Sequence, residues 1–298
     1  MQSGTREANP QLTSRSKLPY LLSCNGLSKK FDKTTAIDGL NFSTQVSRLG
    51  LFGPNGSGKS TLLKLMLGIL YPSSGTIQLG IDSSKIRFIP DFPNLPKSIT
   101  VDEWLEKLEK MFGDIPLNID IQDVTKLDGN LKLNELSAGQ SRLIALLPVF
   151  YGKPELIILD EPTNFLDMII REKIIKLLKQ QIEISNSKII LASHKMDEIA
   201  SFCDSVLMID KGQMVASVSM SLKNRENYLL HVDNMISLRE MLDSSDIDYK
   251  SMDTITGNAT AIQMSWAFWK VIHKFTKSGG TIESLRLIND FEAVLGEF

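Results

Sequence analysis

Gly53-Pro54-Asn55-Gly56-Ser57-Gly58-Lys59-Ser60 follows the apolar run 48–52 and leads into Leu62, Leu63 and Met66 at helical spacing. This is G-x-x-x-x-G-K-[ST] set between a strand and a helix, the context its chemistry requires. Glycines let the main chain curl so that consecutive N–H groups point at phosphate oxygens, and the helix N-terminus adds its positive end. Lys59 supplies a point charge for β- and γ-phosphates, and the Ser60 hydroxyl suits Mg²⁺. The candidate phosphate contacts are Gly53, Asn55, Gly56, Ser57, Gly58, Lys59, Ser60 and Thr61.

Further along, Leu156-Ile157-Ile158-Leu159-Asp160-Glu161 is an apolar strand ending in two carboxylates. A buried strand with an acid at its carboxyl edge places Asp160 beside the phosphate loop, where it can hold Mg²⁺ through water. Glu161 then stands where it can orient and deprotonate an attacking water. Runs 86–90, 188–192 and 205–210 are further strand candidates, several continuously apolar, as a sheet covered on both faces demands. Strand-like and helix-like runs alternate from about 21 to 217, which predicts an α/β fold. Lys211-Gly212 reads as a hairpin turn into 213–217.

Between 101 and 151 the period changes. Val101, Trp104, Leu105, Leu108, Met111 and Phe112 recur at helical spacing, and no strand pattern returns before Leu156. This predicts a helical insertion, about residues 92–150. Nine acidic residues against four lysines over 101–135 make part of it a solvated acidic face. The polar stretch 217–227 marks a second boundary. Beyond it the order reads strand 228–232, helix 235–242, two strands, helix 266–275 and strand 281–288, with Ile262, Met264 and Trp266 alternating in the second central strand. That βαββαβ order predicts a small ferredoxin-like α+β domain over 226–298. Residues 1–20 read as a polar, disordered leader, which leaves 21–220 as the nucleotide-binding domain.

The 298 residues exceed one ordinary domain, in keeping with two at ~150 residues each. A formal net charge of -2 gives no reason to expect a nucleic acid as partner. No apolar run approaches the ~20 residues that cross a bilayer, so a link to membranes must run through a partner. Cys24 and Cys203 each lie within apolar stretches and are expected to be buried and reduced.

Leu136-Ser137-Ala138-Gly139-Gln140 ends 20 residues before Asp160. With it, residues 21–217 resemble an ATP-binding-cassette (ABC) ATPase, whose signature is LSxGQ. The resemblance implies a P-loop NTPase core using ATP and Mg²⁺. It also implies two cassettes packed head to tail, as a homodimer or with a second ABC ATPase. Each ATP then lies between one phosphate loop and the other subunit's Ser137, Gly139 and Gln140. Phe31 sits where the family stacks an aromatic ring on adenine. Asn164-Phe165-Leu166-Asp167 matches the D-loop, from which Asp167 reaches the partner, and His194 matches the switch histidine that pairs with Glu161. Lys59, Glu161 and His194 form the implied catalytic set. His231 and His273 match nothing in the family and are expected to be structural.

One position departs from the family. Where it carries the Q-loop glutamine, this chain has Asp91, and no glutamine occurs from 79 to 121. A carboxylate can join Ser60 and Asp160 as an oxygen ligand of Mg²⁺, but it cannot donate a hydrogen bond. Slower hydrolysis or altered metal dependence is expected. Arg142 replaces a glutamine common after the signature, and Pro148 should shorten the helix that follows.

The resemblance implies the ATPase subunit of a transporter, an exporter by the look of its tail 285–295, working on a separate transmembrane permease from the cytoplasmic face. Two rivals stand beside this: a low-turnover regulatory subunit, and an ABC ATPase not engaged in transport. The single cassette and the absence of a long heptad repeat count against the last.

Overall fold

The computed structural model describes residues 20–116, 127–221, 227–245, 249–254, 257–262 and 266–288. Its first strands are β1 (Leu22–Phe31), β2 (Thr34–Thr44), β3 (Arg48–Phe52), β4 (Ser74–Leu79) and β5 (Ile86–Ile89). There follow β6 (Leu156–Asp160), β7 (Lys188–Ser193), β8 (Ser205–Asp210) and β9 (Gln213–Ser221). The helices of this part are α1 (Lys59–Met66), α2 (Val101–Phe112), α3 (Ala138–Leu146), α4 (Met168–Ser185) and α5 (Met196–Phe202).

The central layer runs β9-β8-β3-β7-β6-β5, parallel except for the β8–β9 hairpin that turns at Lys211-Gly212. Its continuous apolar runs follow from burial on both faces. Leu156 and Ile158 face one core with Leu62 and Leu63 of α1, while Ile157 and Leu159 face the other with Ile174 and Leu178 of α4. Ile190 and Leu207 repeat the first side, Ile189 and Val206 the second. The expected α/β fold and its strands are present.

A second sheet, β2-β1-β4, is antiparallel and closes over the α1 side. Periodicity did not announce it, because the pairing of β1 slips between Cys24 and Leu27 and again before Lys29, breaking the two-residue alternation.

The insertion is helical as expected. A capping box between Thr100 and Glu103 starts α2, and apart from one bridge, Thr100 to Lys132, no strand intervenes among the described residues between β5 and β6. Helix α3 stops at Leu146, and the turn Leu147–Val149, which holds Pro148, is 3-10. The proline shortens this helix, since it has no N–H to continue the ladder.

Beyond β9 lie β10 (Asn227–Val232), α6 (Met235–Asp243), β11 (Tyr249–Thr254), β12 (Gly257–Ile262), α7 (Trp266–Lys277) and β13 (Ile282–Ile288). The order β11-β12-β10-β13 is that of the ferredoxin-like βαββαβ unit. Two details differ from expectation. Trp266 opens α7 instead of continuing a strand, and Met264 lies outside the described residues. The polar boundary begins inside β9, whose Met220 and Ser221 pair in parallel with Leu285 and Arg286 of β13. One ten-stranded sheet therefore runs through both parts. The leader 1–19, part of the acidic insertion (117–126) and the tail beyond 288 lie outside the described residues.

Candidate functional site

The loop between β3 and α1 needs glycine for two separate reasons. At Gly53 a Cβ would stand 2.2 Å from the carbonyl oxygen of Ile209, so the reason is space. At Gly58 the backbone has φ +109 and a Cβ would meet the Ala36 carbonyl oxygen at 2.5 Å. Gly58 also caps α1, with no capping side chain and no acid in the first turn. The first turn of α1 thus carries no acid of its own against the positive end of the helix. Asn55 and Gly56 are exposed at the rim, Ser60 and Thr61 are half-buried in the first turn, and the Ser57 amide closes the loop onto the Pro54 carbonyl. Lys59 is buried. Its Nζ donates to the carbonyls of Gly53 (2.8 Å) and Pro54 (3.1 Å) and lies 3.5 Å from Glu161 Oε1.

Opposite the loop, β6 delivers Asp160, 2% exposed. Burial pushes its carboxyl above the ordinary range, the Ser60 hydroxyl bond opposes this, the carboxylates of Asp91 and Glu161 add to it, and Lys59 opposes it. Its Oδ1 has no hydrogen-bond partner, and neither has Glu161 Oε1. The Asp160 oxygen left in this way suits a hard cation, whereas Glu161 Oε1 already faces the Lys59 ammonium at 3.5 Å. No group of three or more His, Cys, Asp or Glu that could hold a metal occurs among the described residues. A cation here would therefore share Ser60 and Asp160 with ligand oxygens and water, the way Mg²⁺ is ordinarily held. Asp91 stands close enough to act on Asp160 electrostatically.

Glu161 follows Asp160 in a left-handed conformation, φ +48. Its Oε2 lies 2.8 Å from His194 Nδ1 and 3.4 Å from Ser193 Oγ, at the end of the neighbouring β7. The expected Glu161–His194 pair is thus made. Ser193 also donates to Glu198, an acid wholly buried in α5.

The signature opens α3. Ser137 caps it: Ser137 Oγ accepts the Gln140 amide (3.3 Å) and Gln140 Oε1 accepts the Ser137 amide (2.9 Å). Gly139 lies against the D-loop, where a Cβ would stand 3.0 Å from the Phe165 carbonyl oxygen. Asp167 caps α4 through the Ile170 amide (3.0 Å). Asn164 Nδ2 donates to Asp91 Oδ1 at 2.9 Å, so the residue at the Q-loop position is bonded to the D-loop. Phe31, at the end of β1, is 42% exposed with Lys29 Nζ 5.0 Å from its ring centre, an open face and not a core position.

Sequence reasoning gave no role to Arg142, yet it is 1% exposed and central. Its Nε donates to the Pro162 carbonyl (2.9 Å), Nη1 to Pro90 (2.6 Å) and Asp91 (3.1 Å), and Nη2 to Asp160 and Glu161 (both 2.7 Å). A guanidinium has five N–H groups, so five carbonyls occupy all of them. Burial lowers its pKa, and the carboxylates of Asp91, Asp160, Glu198 and Glu161 oppose that. Charge-assisted hydrogen bonds contribute roughly 1.5–3 kcal/mol each. A left-handed non-glycine residue costs about 1–2 kcal/mol. The bond from Arg142 to the Glu161 carbonyl is thus of the same order as the cost of the unusual backbone at Glu161, and burial of the guanidinium takes back part of that gain. No local pattern signals this, because its partners come from two other segments.

With this geometry in view, the likeness to known proteins is specific. A family model for ABC transporters matches residues 37–164. Nod factor export ATP-binding protein I of Ralstonia nicotianae is 31% identical, over 66% of this chain and 66% of its own length. The protein of the same name from Burkholderia thailandensis is 31% identical over 64% and 68%. About two thirds of each relative's length is thus matched. A bacterial ABC transporter cassette solved as a dimer superposes with a TM-score of 0.56, covering 66% of this chain and 98% of that one at 21% identity, a likeness of fold. The chain belongs to the ABC transporter ATP-binding family. Within that family it is an ATPase cassette, similar to subunits named for export.

Proposed function

We propose that this chain is the ATP-hydrolysing subunit of an ABC exporter whose membrane-spanning part is a separate polypeptide. The observation that carries the reading is the convergence of Lys59, Asp160, Glu161 and His194 at the mouth of one phosphate loop. Backbone N–H groups of Asn55, Gly56 and Gly58 to Thr61, with the Lys59 ammonium, hold the β- and γ-phosphates, and Phe31 stacks on the base. Ser60 and Asp160, with Asp91 beside them, would hold Mg²⁺, which when bound neutralises phosphate charge. Glu161 takes a proton from water as its oxygen attacks the γ-phosphorus. The bond to the bridging oxygen breaks, and ADP and phosphate leave. His194 holds the Glu161 carboxylate in place through the 2.8 Å contact.

Ser137, Gly139, Gln140 and Asp167 then serve a second cassette. Ser137 is exposed at the start of a helix with no acid in its first turn, so a partner's γ-phosphate can meet it. The same chain pairs with itself or with another ABC ATPase. No helix among the described residues is long and apolar enough to cross a membrane; the likeness to subunits named for export supports a permease as partner, with this chain on the inner face of the cell membrane. The proposed unit 226–298, whose described strands Asn227–Val232, Tyr249–Thr254, Gly257–Ile262 and Ile282–Ile288 belong to the shared sheet, acts as an accessory unit. The acidic composition of 101–135 suits a basic segment of the permease as partner, so binding should weaken with salt.

ATPase assays test the reading. Glu161→Gln should cut turnover at least about a hundredfold, the scale of a general base. A second reading, a regulatory subunit of low turnover, draws on Asp91 and expects equally low rates from both proteins.

A further inference from the structure

We propose that Arg142 is a positioning residue that aims the Glu161 carboxylate and ties that aim to the signature helix. Three of its bonds go to the successive carbonyls of Asp160, Glu161 and Pro162, and two to Pro90 and Asp91. In an extended strand successive carbonyls point to opposite sides. Here three converge on one guanidinium because Glu161 is left-handed. The same turn swings the Glu161 side chain between Lys59 and His194.

Arg142 lies in α3, whose first turn carries Ser137 and Gly139. A shift of that helix, as when a second nucleotide is gripped at its N-terminus, therefore pulls on the backbone of the water-activating acid. It pulls also on Asp91, whose side chain Asn164 holds from the D-loop. The signature helix and the Q-loop position thus meet at one buried cation, and the D-loop joins them one bond away, through Asn164 on Asp91. A rigid, fully bonded fork suits this task, since its planar donors fix direction as well as charge.

A purely structural arginine would change stability alone, whereas a positioning residue separates kcat from KM. This inference rests on the ATPase reading, and the Glu161→Gln comparison tests that reading independently. Arg142→Gln and Arg142→Lys, each verified folded by circular dichroism, are compared with wild type for kcat, KM for ATP and affinity for a fluorescent ATP analogue. Hydrogen exchange of the Asn164 amide, which bonds the Glu161 carbonyl, reports the turn directly. The expected result is a kcat at least tenfold lower in Arg142→Gln, intermediate in Arg142→Lys, with KM and analogue affinity within about twofold of wild type. The Asn164 amide exchanges faster while β6 amides stay protected. Unchanged kcat in a folded Arg142→Gln would overturn the proposal, as would equal losses in kcat and analogue affinity. Should Arg142→Gln fail to fold, Arg142→Lys decides: wild-type kcat and Asn164 exchange in it would also overturn the proposal.

Discussion

Asp160 carries the tension between stability and function at the smallest scale. Burial raises its carboxyl's pKa, so the folded chain binds that proton more tightly than the unfolded chain. The stability this contributes is present at low pH and is lost as pH rises through the raised value. Asp160→Asn removes the ionisation, and should stabilise the metal-free protein by about 1 kcal/mol at neutral pH while abolishing magnesium-supported hydrolysis. Thermal unfolding without magnesium, beside an ATPase assay, checks both. Asp91 poses the complementary case. Asp91→Gln keeps an acceptor for Asn164 and removes a negative charge near Asp160, so turnover should rise severalfold or its magnesium dependence should shift; if neither changes, Asp91 plays no part in the chemistry. The two thiols are simpler. Burial pushes Cys24 up to about 12 and raises Cys203 further from reactivity, with neither in a disulfide. Neither should alkylate at pH 8 until denaturant is added. The candidate site residues were legible because a loop, a strand end and a helix start each need particular residue types in sequence order. Arg142 was not, because its partners lie on distant segments, nor was Glu198, whose burial only the folded chain creates.

Elements position these groups, and the helix starts carry most of that work. Ser137 closes a capping box on α3, and Ser137→Ala should cost about 1 kcal/mol of stability. It also removes a hydroxyl from the exposed helix end, so ATP-driven association should weaken more than ATP binding to the lone cassette; equal weakening would deny the signature a separate role. At α1, Gly58→Ala forces a side chain into φ +109 and against Ala36. Nucleotide affinity should fall at least tenfold, read by titration with a fluorescent analogue. Buried parallel strands such as β6 and β7 were legible as apolar runs, and Pro148 marked the end of α3. The sheet of β1, β2 and β4 was not, since the bulged pairing of β1 erases the alternation by which a half-covered strand is recognised.

At the scale of the whole molecule, one sheet continues from the nucleotide-binding layers into the βαββαβ part through β9 and β13. Composition marked a boundary near 217, but strand pairing depends on backbone groups that polar side chains do not hide, so β9 crosses it. The proposed function is also tested at this scale: if the loop side of the site and the Ser137 side, both in one chain, serve two nucleotide sites, ATP joins cassettes and hydrolysis parts them. The direct measurement is the particle mass of Glu161→Gln with ATP and Mg²⁺, by light scattering, against wild type under the same conditions. A mass that doubles in the variant, or gains that of a companion ATPase, and falls back in wild type as ATP is consumed is the predicted result. A variant that stays a single copy with ATP bound would rule out pairing of cassettes through ATP.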